Sequence, residues 1–169
     1  SSGLTANSTD RSQLIKNCLS LFQRFWRLIF PEPEQLPAEV SSGERLSRYV
    51  FTKRYLKKTT DRLSPEAFTP HKTSRETSIY RTDGCSEENI WELSEKYVTA
   101  YRPDHKSALG RGDLTAQVVF DQKLNVVPHP IPHPRHANIV GWPDEPGSEL
   151  ELMKATELAN QAIRILHLQ

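Results

Sequence analysis

Three histidines, four prolines, an arginine and a tryptophan crowd into HPIPHPRHANIVGWP, residues 129–143. Imidazole offers two chemistries, metal ligation when neutral and proton transfer near neutral pH. Zinc is the first to weigh. The spacings from His129 to His133 and from His133 to His136 suit one face of a helix, but Pro128, Pro130, Pro132 and Pro134 forbid a helix there. A polyproline-like segment rises about 3.1 Å per residue, which separates His129 from His133 by roughly 12 Å. Zn–N bonds of about 2.0–2.1 Å cannot span that gap without a sharp turn, so no metal is expected. A strand from His136 onwards sends His136, Asn138, Val140 and Trp142 to one face and Ala137, Ile139 and Gly141 to the other. His136 and Asn138 then stand side by side where a loop meets a sheet, with Arg135 next to them as a charge for an anion. The pair either hydrogen-bonds and orients the loop, or binds a ligand and moves a proton.

The second concentration of chemistry is basic. Residues 44–62 hold Arg45, Arg48, Lys53, Arg54, Lys57, Lys58 and Arg62 against only Glu44 and Asp61, interleaved with Tyr49, Phe51 and Tyr55. Cations neutralise phosphates and aromatic rings stack on unpaired bases, so this composition suits single-stranded nucleic acid or another polyphosphate. A solvated helix or strand face whose aromatics belong to the core is the alternative. Arg81 and Arg111 extend the positive surface if the fold gathers them. The expected ligand-binding set is therefore Arg45, Arg48, Tyr49, Lys53, Arg54, Arg81, Arg111 and Asn138. An enzymatic rival gives His136 the role of acid or base, lets Arg135 or Arg81 stabilise phosphorane-like charge, and has Tyr80 assist. The RGD at 111–113 is read as turn chemistry supplied by Gly110 and Gly112 before a strand. Cys85, beside Gly84 at an expected helix start, is explained by the turn and is given no catalytic role. The sequence contains no GxGxxG, GxxxxGK[ST], HExxH or GxSxG, so no cofactor is expected.

These residues need elements to hold them. The 169 residues carry a net charge of +1, 36% hydrophobic residues, a mean hydropathy of −0.61 and 12 prolines to 7 glycines, which fits one polar domain with long connections. Residues 10–30 place Ile15, Cys18, Phe22, Phe25, Trp26 and Ile29 on one face, predicting an amphipathic helix. Such a helix packs on its own domain, docks a protein partner or a second copy, or lies on a membrane surface. Its charges interrupt it too often for a transmembrane span. Ser1–Gly3 read as a cloning remnant, PEPEQLP begins a linker over 31–43, and 44–169 form the main domain. Within that domain, residues 44–58 are expected as a short helix passing into extended chain and 77–83 as a strand. A helix follows with Ser86 as its N-cap. LTAQVVF and LNVV are expected as a hairpin, HANIVGW as a strand, and the end as a helix opened by a Ser148–Glu151 capping box. Leu150, Met153, Leu158, Ala162 and Ile165 are its expected apolar face. Strands without regular crossovers predict an α+β fold, mainly an antiparallel sheet flanked by helices, with the N-terminal helix appended.

The stretches ERLSRYVFTKRYL, RLSPEAFTP, TSIYRTDGCSEENIWEL, GRGDL and PRHANIVGWP, followed by the Ala- and Leu-rich helix, resemble a family of small, uncharacterised bacterial proteins. The likeness covers about residues 44–168 and is most specific in PRHANIVGWP. It implies a bacterial, cytoplasmic protein with one compact domain, and supplies no catalytic assignment. Cys85 stands where the family pattern has an aliphatic residue.

Overall fold

Side chains alternate across an extended chain, and this sorts the middle of the sequence onto two differently furnished faces of a sheet. The computed structural model describes residues 34–57 and 59–168; the helix expected at 10–30 lies outside them. In chain order the elements are β1 (Arg45–Val50), β2 (Thr77–Arg81), α1 (Glu87–Tyr97), β3 (Gly110–Thr115), α2 (Ala116–Asp121), β4 (Asn125–Pro128), β5 (His136–Val140), α3 (Glu149–Gln161) and β6 (Ile163–Leu166). The strands form one six-stranded sheet in the order β4-β5-β2-β1-β3-β6, and every pairing is antiparallel. This is the expected α+β architecture.

One face is apolar. Leu46 and Val50 of β1, Ile79 of β2, Leu114 of β3, Val126 of β4 and Ala137 and Ile139 of β5 meet Val119 of α2 and Ala155, Leu158 and Ala159 of α3 in the main core, together with Leu63 and Phe68. The other face is mixed. Tyr49 and Tyr80 pack with Ile90 and Leu93 of α1 and with Ala108, while Ser47, Arg111, Asp113 and His136 are buried polar groups. Helix α1 starts as expected, with the Ser86 hydroxyl accepting from Asn89 N–H and Glu87 and Glu88 in its first turn.

Several local expectations give way to tertiary context. The segment after Gly43 is a strand from Arg45, with no helix before it, because all six residues of β1 pair with β3. AQVVFD is a helix, so no hairpin joins it to LNVV. Ala116 N–H donates to Glu44 O and Gln117 N–H to Ser42 O, which turns the chain away from the sheet and lets Ala116 and Val119 bury together at helical spacing. β4 pairs with β5 instead. The proline-rich lead-in is likewise turned back rather than extended: His129 N–H donates to His136 O, and His136 N–H to His133 O. A cis bond joins Ile131 to Pro132 in this turn.

The C-terminal helix stops at Gln161 and the chain returns as β6 along β3. Its buried residues are Glu151, Ala155, Leu158 and Ala159, whereas Leu150 and Met153 are exposed. Small side chains set this face. A Cβ on Gly112 of β3 would stand 3.3 Å from Ala162 Cβ and 2.5 Å from Leu63 Cδ1. Gly112 is therefore a packing glycine inside a strand, and not the turn residue its RGD context suggests. The capping box forms by half: Ser148 Oγ accepts from Glu151 N–H at 3.3 Å, but the Glu151 carboxylate accepts from Gly147 N–H and pairs with Arg75. The linker expected over 31–43 is also partly folded, since Arg81 donates to Pro37 O and Val40 packs on the core. No helix among the described residues is long and apolar enough to cross a membrane.

Candidate functional site

β1 and β2 pair only at Leu46 with Arg81 and at Ser47 with Tyr80; beyond that they part. The side chain of Arg48 enters the gap. Its Nε donates to Ala67 O and its Nη1 to Ser78 O, both at 2.8 Å, so a guanidinium takes the place of missing ladder bonds and ties β2 to the turn at Pro65–Ala67. The opening is a cleft of about 360 Å³ lined by Arg48, Tyr49, Phe51, Thr52, Tyr55, Ala67, Ser78, Tyr80, Val98 and Arg102. That volume lies within the range of small-ligand sites.

Two cations serve this cleft. Burial lowers the Arg48 pKa to about 10, with Tyr55 opposing the shift, so it remains charged at neutral pH. Arg102 lies over the Phe51 ring at 4.1 Å and donates through Nε and Nη2 to Asp104 at 3.2 and 3.3 Å. Nη2 of Arg48 and Nη1 of Arg102 make no hydrogen bond among the described residues. The walls are aromatic. Tyr49 is anchored by its hydroxyl on Ile90 O at 2.5 Å, and burial raises its pKa. Tyr80 lies 5.5 Å from Tyr49, centroid to centroid. Its hydroxyl has no hydrogen-bond partner among the described residues, and burial pushes its pKa up to about 12, so it is a neutral donor at physiological pH.

Behind Tyr80 sits His136, whose ring is 5.3 Å away and 8% exposed. Its Nδ1 is 2.8 Å from His129 O and its Nε2 is 2.8 Å from Ser78 Oγ. A carbonyl oxygen only accepts, so Nδ1 carries the proton and Nε2 is left to accept from the Ser78 hydroxyl. Burial lowers the His136 pKa below its ordinary 6.5, partly opposed by the bond to the His129 carbonyl. Asn138, two residues on, donates to Glu76 Oε2 at 3.0 Å; it orients the edge of the site from outside the cleft.

The structure thus gathers Arg48, Tyr49 and Tyr80 at one cleft, with His136 reaching it through Ser78. Lys53 and Arg54 are exposed on the turn between Thr52 and Tyr55, two lining residues. The other cations are placed elsewhere by their own partners. Arg45 donates to Thr82 O and Cys85 O. Arg81 is buried and bidentate on Glu44, with Nε 2.5 Å from Oε1. Arg111 is buried between Glu87 and Asp113, with Asp113 continuing to Ser47 and Thr82. It also lies over the Trp91 ring at 4.7 Å. Arg135 donates to Arg81 O and Asp83 O, which pins the loop before β5. A phosphate approaching the cleft does not meet Arg81 or Arg111, because a buried guanidinium requires its carboxylate and keeps it.

Sequence reasoning missed Ser78 and Arg102, and named Phe51 only as one of the aromatics of the basic stretch. Two before Tyr80 on one strand, Ser78 shares its face, but nothing in the sequence paired it with His136. Arg102 gave no signal, because only the 3-10 turn at Thr99–Tyr101 brings it over Phe51. Among the described residues no three His, Cys, Asp or Glu side chains group as a metal ion would require. Comparison with protein-family models, with curated proteins and with solved structures gave no match.

Proposed function

We propose that the cleft between β1 and β2 binds a phosphate-bearing ligand, and that this ligand is single-stranded nucleic acid. One observation carries the reading: two guanidinium groups, Arg48 and Arg102, each with an unused nitrogen, flank a cleft walled by Tyr49, Phe51, Tyr55 and Tyr80. Arginine forks match phosphate oxygens, and Phe51 and Tyr55, the half-buried aromatics at the cleft, are the rings a base reaches once Arg102 and Arg54 turn from them to phosphate. Lys53 and Arg54, exposed on the adjoining turn, extend the charge along a backbone longer than one nucleotide. A duplex is a poor fit, because its bases are not free to enter a cleft of this size.

Fluorescence anisotropy with a labelled ten-nucleotide single strand tests this. If Arg48, Lys53, Arg54 and Arg102 each meet a phosphate, log K falls with log[salt] at a slope of roughly −3, from about −0.7 per phosphate. Arg102→Ala and Arg48→Ala each weaken binding by about tenfold, some 1.4 kcal/mol, while substitution of the buried Arg111 does so only by unfolding the chain. Absent binding, or binding indifferent to salt, contradicts the proposal.

A further inference from the structure

Ser78 is exposed and lines the cleft, whereas the imidazole that accepts its proton is buried. Ser78 presents an oxygen to solvent and its proton to His136 Nε2 at 2.8 Å, a geometry within reach for proton transfer. The far side of the ring is fixed as well. His129 O holds Nδ1–H, the position that a carboxylate fills in serine hydrolases, and the turn at 129–135 holds His129 through backbone bonds. Charged groups facing the ring are few: Glu76 raises its basicity, His129 lowers it, and Tyr80 stacks edge-on as a neutral group.

We infer that Ser78 is a nucleophile activated by His136, and that the cleft cleaves phosphodiesters. The inference rests on reading the cleft as a phosphate site. In the first step Ser78 Oγ attacks phosphorus as its proton passes to His136 Nε2; an Oγ–P bond forms, the P–O bond to the leaving group breaks in line on the far side, and the departing oxygen takes a proton from solvent water. In the second, water attacks the seryl phosphodiester from that far side and gives up a proton to solvent, the Oγ–P bond breaks, and His136 returns its proton to Ser78 Oγ. The sum is one ester and one water giving a phosphate monoester and an alcohol, with no redox change. Arg48 donates to the backbone carbonyl of Ser78 and lines the same cleft, so a positive charge is held at the opening that the phosphodiester enters. Ser78 and His136 are the catalytic residues; His129 positions the ring.

A fluorophosphonate probe, which loses fluoride to an activated serine and leaves a stable phosphonyl adduct, tests the nucleophile in the full-length chain. Mass spectrometry is expected to place a single adduct on the peptide containing Ser78, at a rate that drops when pH falls below the His136 pKa. Ser78→Ala, at an exposed position that spares the core, is expected to remove the adduct, and Ser78→Cys to restore reactivity toward iodoacetamide. No adduct, or one on another serine, in protein that still binds the oligonucleotide would overturn the nucleophile and leave the binding reading intact. An adduct at Ser78 in protein that binds no oligonucleotide would overturn the phosphodiester as substrate.

Discussion

At the scale of single residues, partners decide which charged groups are available. His136 shows this through its proton. Burial depresses its folded-state pKa below the ordinary 6.5, so the unfolded chain protonates first as pH falls. The unfolded state then binds more protons than the native state, and stability that is complete above about pH 6.5 declines through the window below it. Urea unfolding of the wild type between pH 7.5 and 5.5 is expected to show this decline, and His136→Gln to flatten it in the part of the window above the carboxylate range. Equal slopes in both proteins would mean that His136 titrates in the folded state as it does in the unfolded chain. Histidine, tyrosine and arginine candidates were legible in the sequence because their chemistry is intrinsic to the residue. Ser78 was not, because a serine becomes a candidate nucleophile only through the base across from it, and that base lies 58 positions away. Arg81 and Arg111 misled for the converse reason: their charge was plain, and the buried carboxylates that absorb it were not.

At the scale of elements, the sheet is held by ion pairs on both of its faces. Arg81, 1% exposed, takes both oxygens of Glu44 on the main-core side, and this closes the chain before β1 over the end of β2. Removing one partner of a buried pair leaves a charge without compensation, so Glu44→Ala is expected to cost about 3–5 kcal/mol of unfolding free energy. A change in the denaturation midpoint equivalent to less than about 1 kcal/mol would class the pair with exposed salt bridges. Strong local signals survived into the structure. Ser86 caps α1, and TSIYR and HANIV are strands. AQVVFD did not follow its β-branched composition, because carbonyls of residues 42 and 44 capture its first N–H groups; strand propensity reflects the neighbours a segment meets, which composition does not name. The helix α3 buries Glu151, Ala155, Leu158 and Ala159 rather than the expected Leu150 and Met153, and Ala162, just past its end, packs on Gly112 of β3, where a larger side chain would not fit.

At the scale of the whole domain, the fold divides its labour by face. The main core, with α2 and α3, carries the hydrophobic burial that dominates folding free energy. The α1 face instead buries a chain of polar side chains, Arg111, Asp113, Ser47 and Thr82, which the exposed Glu87 caps at the surface. Every member of that chain has a partner, so it orders the centre of the sheet without presenting reactive groups. Beside it, β1 and β2 separate and leave an opening where Arg48, Arg102, Tyr49, Tyr80 and Ser78 all line one cleft. The fold class was legible in the strand and helix order, but this separation was not, because it depends on how many residues of two strands stay paired. The account's central claim is that the ligand enters here. Amide and arginine side-chain NMR shifts followed during titration with a ten-nucleotide single strand test it most directly. The largest changes are expected at Arg48, Phe51, Thr52, Ser78, Tyr80 and Arg102, with Arg81 and Arg111 unmoved; saturable changes confined to other surfaces, or none at all, would contradict it.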